Sequence, residues 1–242
     1  MSGARNRGTG VSLSESYQET FERIEAAVDA GESDLGSLGF WRLLARVKID
    51  PALCRHWAEQ AGRIDRKAFE ARVRPRFPVL FGNLVLMLGM ACGAFAVGVA
   101  LGTDDAAVAG IALVFAGLAW SVSFHSPTHW LVGRIVGIGF VAYFFGGPFP
   151  PRPGLKIDYA SYLRASPVAR AWMHGSGAVA TKLAPFIALA FWPASLAPAW
   201  TAWALVAIGV FQIVTDVLLS TKTSDWKKVR RELRAARAQT AG

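Results

Sequence analysis

The sequence predicts an all-α polytopic membrane protein with four transmembrane helices, an N-terminal cytoplasmic helical domain and an interfacial hairpin. Of its 242 residues, 53% are hydrophobic and only 18% are charged, which is too apolar for a disordered chain or an ordinary soluble domain. Four apolar segments are long enough to cross a bilayer, which takes about 20 helical residues. A polar leader precedes them, and its apolar residues recur at helical spacing.

The polar leader, residues 1–77, is expected to fold as a small cytoplasmic helical domain. Its first helix is indicated by apolar residues that recur every three or four positions in an acidic segment, namely Tyr17, Phe21, Ile24 and Val28. Asp50 followed by Pro51 is a start signal for a second helix, because Asp caps a helix and Pro fits its first turn. A further short helix is expected to end before Pro75. Two roles fit such a domain: a docking arm beneath the membrane part, or a basic helix on the membrane surface.

Residues 78–221 form the predicted membrane domain. The four apolar segments place its helices at about 79–101, 106–131, 171–192 and 197–219. The basic residues indicate the orientation: thirteen Lys and Arg lie in residues 1–76, four in 152–170 and seven in 222–237, whereas the turn at 102–105 holds two Asp. By the positive-inside rule, both termini lie in the cytoplasm. The chain is therefore expected to be an integral protein of an inner or plasma membrane, with the lipid bilayer as its main partner.

The third predicted unit is the basic tail, residues 222–242. Its Lys and Arg side chains are expected to lie among anionic lipid headgroups. The net charge of +9 raises the question of nucleic acid, but the basic residues flank apolar segments instead of alternating with exposed aromatic side chains. We therefore expect no nucleic-acid partner.

The segment 137–154 interrupts the helical pattern between the second and third membrane helices. It is rich in Gly, Pro and aromatic residues, so it cannot form a simple helix. Aromatic rings suit the membrane interface, and the prolines block helix continuation. We predict a re-entrant or interfacial hairpin on the cytoplasmic side.

Two histidines lie toward the cytoplasmic end of the second membrane helix. His125 and His129 are four residues apart, which places both imidazoles on one helix face, about 6 Å apart at Cβ, and suits two ligands of one metal ion. An ionisable group inside a membrane segment is costly and therefore indicates function. The alternative is that the two histidines hydrogen-bond to neighbouring helices, and Pro127 between them can bend the helix.

Other ionisable residues are expected near the same depth. His129 lies roughly 8 Å and Asp216 roughly 9 Å from the basic residues that mark the cytoplasmic ends of their helices, at 1.5 Å per residue. The two side chains are then expected at the same depth in the membrane. His174 is expected at that depth as well, and Asp225 just outside it. Lys182 can form a salt bridge with Asp216 or bend its stem back to the interface. His174 can instead face solvent or lipid headgroups.

Residues 120–232 resemble the core of the site-2 protease family of intramembrane zinc metalloproteases. In that family one membrane helix carries an H-E-x-x-H motif, an interfacial hairpin follows, and a later helix brings an Asp ligand. Here the first motif corresponds to His125-Ser126-Pro127-Thr128-His129, the hairpin to residues 145–148, and the Asp motif to residues 224–229. Ser126 stands where the family has its glutamate, and a serine cannot accept the proton of a metal-bound water at neutral pH.

The resemblance implies a zinc site built from the two histidines and one aspartate. It favours Asp225 as the third ligand, whereas depth favours Asp216, and the remaining aspartate could act as a base or orient a ligating histidine. The candidate metal ligands are therefore His125, His129, Asp225 and Asp216, with His174 and Lys182 as additional site residues.

Two functions follow from this set of residues. The first is a membrane-embedded metal-binding protein that resembles an intramembrane metalloprotease and acts as a divergent hydrolase on a membrane-protein substrate. The second is a catalytically inactive, protease-like binding or regulatory subunit, a pseudoenzyme, since Ser126 is no base and Trp226 replaces the glycine that follows the family's Asp. A third function, an ion-coupled carrier using Lys182 with Asp216, fits poorly because the chain has four helices and no repeat.

Overall fold

The computed structural model describes residues 9–146, 152–218 and 224–241, and this part of the chain is mostly helical. It begins with three helices, α1 (Thr9–Asp29), α2 (Phe40–Val47) and α3 (Pro51–Arg72). The Asp50 carboxylate accepts hydrogen bonds from the first backbone N–H groups of α3, and Pro51 occupies the first turn. The sequence predicts two helices between residues 50 and 75, but α3 continues unbroken to Arg72.

The N-terminal helical domain, which we define as α1–α3, has its own apolar core. Phe21 of α1 is fully buried and stacks on Trp57 of α3, with ring centroids 4.8 Å apart. Leu163 from a later helix completes this core. Gly62 allows that helix to approach, because a Cβ at Gly62 would lie 2.7 Å from the Cβ of Ala160. The domain is therefore packed against the rest of the protein.

Within the part of the chain that the structure describes, four helices are long and apolar enough to cross a membrane, which confirms this part of the predicted fold. They cover Val79–Gly102, Ala106–Ser123, Pro167–Ala194 and Ala199–Asp216. The first is α4 (Val79–Gly102) and the second is α5 (Ala106–Ser123). Large apolar side chains lie exposed on the outer faces of the four helices, among them Leu80, Phe95, Ile111, Trp203 and Phe211. Small residues such as Gly117 lie between the helices and allow them to pack closely.

The predicted second membrane helix, 106–131, is interrupted in the structure. Helix α5 ends at Ser123, and a separate helix, α6 (His125–Ile135), begins two residues later. Pro127 explains the interruption, because it has no N–H to donate to the carbonyl of Ser123. Phe124 keeps a helical backbone, so the chain bends there without forming a loop. Both histidines consequently lie on the short helix α6.

The segment predicted as an interfacial hairpin forms two paired strands of a small antiparallel sheet, which the all-α prediction lacks. Strand β2 (Phe140–Gly146) pairs with β3 (Arg152–Ile157), and β1 (Arg76–Phe77) pairs with the other edge of β2. Aromatic and β-branched side chains favour a strand at residues 140–145. The prolines at positions 148, 150 and 151 lie outside the described residues.

The remaining helices form the layer that carries the candidate site. After β3 come α7 (Tyr159–Arg164), α8 (Pro167–Leu189), a short 3₁₀ turn (Trp192–Ala194), α9 (Ala199–Leu218) and α10 (Asp225–Ala241). Ser166 caps α8 through the N–H of Ala169, with Pro167 in the first turn. Helix α8 contacts α5, α6, α9 and α10, so it is the central helix of this layer.

Candidate metal centre

Three side chains from two helices converge on one point beside α8. His125 and His129 occupy successive turns of α6, and their ring centroids are 4.6 Å apart. Asp225, the first residue of α10, places its Oδ2 atom 3.4 Å from His125 Nε2 and 3.3 Å from His129 Nε2. The three potential ligand atoms all lie within 4.8 Å of one another.

Helix α8 determines which nitrogen of each ring faces the cluster. His129 Nδ1 lies 2.6 Å from the carbonyl oxygen of Met173, and since a carbonyl can only accept, Nδ1 carries the hydrogen. The Thr181 hydroxyl donates to the carbonyl of Gly177 at 2.9 Å, so it accepts from His125 Nδ1 at 3.0 Å. In the neutral rings both lone pairs are then on Nε2 and face Asp225.

These distances fit a tetrahedral metal ion. Two ligand atoms that each lie about 2.05 Å from a tetrahedral zinc ion are about 3.3 Å apart. The two Nε2–Oδ2 distances, 3.3 and 3.4 Å, agree with this value. Two nitrogen lone pairs facing a carboxylate oxygen repel it, and a bound cation or a proton removes that repulsion. Hydrogen bonding of the opposite ring nitrogen to a carbonyl or hydroxyl is typical of metal-binding histidines.

The environment of Asp225 keeps it ionised. Its second oxygen, Oδ1, lies 2.9 Å from Lys228 Nζ on the same helix. Burial by itself raises the pKa of Asp225, but the adjacent His129 ring and the charge and hydrogen bond of Lys228 outweigh burial and hold the pKa below its usual range. Asp225 therefore supplies one negative charge and one free oxygen to the cluster.

Within residues 9–146, 152–218 and 224–241, no further His, Cys, Asp or Glu joins the three ligands. His174 is buried nearby, but its Nε2 atom lies 3.0 Å from the hydroxyl of Tyr162. That hydroxyl donates to Glu232, so His174 donates to it and keeps its hydrogen on Nε2. Three protein ligands leave one tetrahedral position open, as in catalytic zinc sites.

Asp216 and Lys182 lie beside the cluster and bind each other. Asp216 Oδ2 lies 2.7 Å from Lys182 Nζ and accepts a hydrogen bond of the same length from the indole N–H of Trp226. Trp226 directly follows Asp225, so Asp216 holds the beginning of α10. Ser126 lies between the two histidines in the sequence. Its side chain is buried and carries no acidic group. The structure thus brings Asp225, and not Asp216, to the histidines.

Sequence reasoning missed the part of α8 that orients the rings. Met173, Gly177 and Thr181 recur every four residues, so they share the face of α8 that contacts α6. A Cβ atom at Gly177 would overlap the ring of His129. The regular four-residue spacing was a usable signal, although it does not by itself identify the helix that this face contacts.

Comparison with family models, curated proteins and solved structures finds no match for this chain. The resemblance to the site-2 protease family therefore rests on the residues quoted above. The chemistry of the three converging side chains is the remaining basis for assigning a function.

Proposed function

We propose that this protein is a membrane-embedded metal-binding protein with the architecture of an intramembrane metalloprotease, and that it acts as a divergent hydrolase. The observation that carries the proposal is the convergence of two histidine lone pairs on one ionised carboxylate oxygen, with both nitrogen–oxygen distances at the value expected for a tetrahedral ion. Independent partners on α8 orient both rings, which is the arrangement that metal sites use.

The membrane assignment is supported by the four apolar helices and their exposed apolar faces. The basic segments flank the side on which the candidate site lies, and by the positive-inside rule this is the cytoplasmic side of an inner or plasma membrane. A substrate or partner would then be a membrane protein that presents a segment at the cytoplasmic end of the helices.

Zinc is the metal that we propose, because two imidazole nitrogens and one carboxylate oxygen in tetrahedral geometry match its preferences. Bound zinc would supply a Lewis acid and would lower the pKa of a bound water to about 7. His125, His129 and Asp225 would hold the ion. Met173 and Thr181 would hold the two rings in the correct orientation.

Ser126 limits the catalytic power that this site can have. In the site-2 protease family a glutamate stands at this position, and general-base catalysis contributes roughly 10²- to 10⁴-fold to a rate. The Ser126 hydroxyl can donate or accept a hydrogen bond but cannot take up a proton at neutral pH. Asp216, the acid beside the cluster that is not a ligand, is already bound to Lys182 and Trp226. We therefore expect slow hydrolysis.

The serine at position 126 also favours a second candidate function. A protein with the metal site but without the base could serve as a catalytically inactive binding or regulatory subunit. The N-terminal helical domain would then be its docking arm. Under this alternative, removing the metal ligands destabilises the protein or weakens partner binding but changes no rate of hydrolysis.

Metal content per chain tests the proposal. Detergent-purified wild type is compared with His125→Ala, His129→Ala, Asp225→Ala and the control Asp216→Ala by elemental mass spectrometry. We expect about one zinc per wild-type chain, by the three-ligand count, and loss of zinc in the first three variants. Asp216→Ala should still bind zinc, more weakly than wild type, because it removes no ligand but frees Trp226 at the beginning of α10. Freshly prepared wild type without metal would refute the proposal. Zinc that survives Asp225→Ala but not Asp216→Ala would show that the other aspartate is the ligand.

A further inference from the structure

A buried charge cluster lies on α10, two helical turns beyond Asp225. Its centre is Glu232, whose side chain is only 1% exposed. Oε1 of Glu232 lies 2.7 Å from Lys48 Nζ and accepts the hydroxyl hydrogen of Tyr162 at 2.9 Å. Oε2 lies 2.8 Å from Nε of Arg170, which is fully buried. Four separate segments of the chain therefore meet at one carboxylate.

The charges of this cluster make Glu232 indispensable to it. One carboxylate faces two cations in a site from which water is largely excluded. Without Glu232, the fully buried Arg170 and the partly buried Lys48 would lose their shared counter-ion, and leaving a buried charge unpaired is strongly unfavourable. Burial and the neighbouring negative charge of Glu232 raise the pKa of Tyr162 well above its usual range, so the phenol keeps its hydrogen and remains a donor. Glu232 is thus held on three sides.

Lys48 is the member of the cluster that comes from the N-terminal helical domain. It follows directly on α2, and its backbone carbonyl also accepts a hydrogen bond of 2.8 Å from the side chain of Gln239 on α10. A cavity of about 540 Å³ lies between α2 and α10, and Lys48 is among its lining residues. Lys48 therefore connects the domain to α10 at two points.

The cluster is connected to the metal site by two routes. Glu232 and Asp225 are seven residues apart on one helix, about 10 Å along its axis, so a shift of α10 at Glu232 also moves the third ligand. Tyr162 links Glu232 to His174 on α8, and His174 follows Met173, whose carbonyl orients His129. Both the position of Asp225 and the orientation of one ring thus depend on this cluster.

We infer that Lys48 and Glu232 are positioning residues of the metal site: the N-terminal helical domain holds α10 so that Asp225 completes the ligand set. This inference rests on the proposed metal-binding function. A separate buried ion pair, Lys156 with Asp65, joins the same domain to β3. Replacing the Lys48 side chain therefore weakens the link between the domain and α10 without detaching the domain.

The test measures two quantities in full-length protein in detergent: zinc affinity, by competition with a chromophoric chelator, and hydrogen exchange of the α10 amides. Lys48→Met is the test variant, and Lys48→Arg keeps the charge. Lys67→Met is the matched control, since the ion pairs of Lys67 among the described residues lie within the N-terminal helical domain, with Asp29 at 2.7 Å and Glu25 at 3.5 Å.

We expect Lys48→Met to weaken zinc binding about tenfold, the lower end of what outer ligand partners contribute, and to speed exchange in α10. Lys48→Arg should retain most of the affinity, and Lys67→Met should match wild type. Glu232→Gln should weaken zinc binding at least as much as Lys48→Met. Unchanged affinity and unchanged α10 exchange in Lys48→Met would overturn the inference.

The two proposals can fail separately in this experiment. A wild-type protein that binds no zinc refutes the metal-binding function. Faster α10 exchange in Lys48→Met would then still support a link between the domain and the helix, and unchanged exchange would overturn that link as well. A wild type that binds zinc, together with a Lys48→Met variant identical to it, refutes the positioning role alone.

Discussion

Replacing Gly177 by alanine should weaken the candidate metal site without changing any of the ligand residues. A Cβ atom at this position would lie 2.6 Å from both Cδ2 and Cε1 of His129, whereas ordinary contact begins at 3.4 Å. The Cβ atom would lie closer still to Nε2, the proposed ligand atom. The ring or the α8 backbone must therefore move by at least about 0.8 Å, well outside the roughly 0.2 Å tolerance of metal–ligand distances. Such a shift also disturbs the hydrogen bond from His129 to Met173. We expect zinc affinity to fall by about 10- to 100-fold.

Gly175→Ala is the matched control for this substitution. It introduces the same methyl group on the same helix, but its nearest neighbour would be a Val229 methyl at 3.5 Å, an ordinary contact. Alanine favours a helix over glycine by about 1 kcal/mol, so neither variant should lose helix stability for intrinsic reasons. Zinc affinity is measured by chelator competition on both variants and wild type. Gly177→Ala protein that binds zinc as tightly as Gly175→Ala would refute the proposed contact between α8 and the ligating ring.

Three further predictions concern catalysis, ring orientation and stability. Ser126→Glu should raise the hydrolysis of a membrane-protein substrate by roughly 10²- to 10⁴-fold by supplying a general base; a proteolysis assay that finds no gain, with zinc still bound, would favour the inactive subunit. Thr181→Val removes the acceptor for His125 Nδ1 and should lower zinc affinity about tenfold, whereas Thr181→Ser should preserve the affinity. Equal zinc affinities of these two variants would contradict the assigned orientation of the His125 ring. Phe21→Ala removes the ring that stacks on Trp57 and should lower the free energy of unfolding by about 3–5 kcal/mol. Thermal or denaturant unfolding measures this loss against Ile49→Ala, a control at an exposed site. Equal stability of the two variants would count against the described packing.

Much of the fold follows from local sequence patterns. Apolar length predicts the four long helices, and Asp50 with Pro51 predicts the beginning of α3, because these signals depend only on nearby residues. The interruption between α5 and α6 was harder to predict from the sequence. Pro127 indicates that a bend can occur there, but hydropathy continues across it, so a search for apolar length joins the two helices into one.

Helical spacing predicts the two histidines of the candidate site, whereas the third residue was left open between Asp225, favoured by the family resemblance, and Asp216, favoured by depth. Helical spacing alone places His125 and His129 on one face. The choice between Asp216 and Asp225 depends on how α10 packs against α8, and a depth argument along single helices does not contain that packing. The partners of the two rings, Met173 and Thr181, are likewise tertiary contacts. One of them is a backbone carbonyl, for which residue identity gives no signal.

The pairing of β1 with β2 has a practical consequence for truncated forms of the protein. Hydropathy would suggest cutting the chain at Val79 to obtain the membrane part alone. That cut removes Arg76 and Phe77, and it leaves the edge of β2 at Tyr143 and Phe144 without its backbone partner. Unpaired edges bearing aromatic residues recruit other strands and promote aggregation. Shortened versions should therefore begin upstream of β1, and a fusion partner is better attached there than at the first apolar residue.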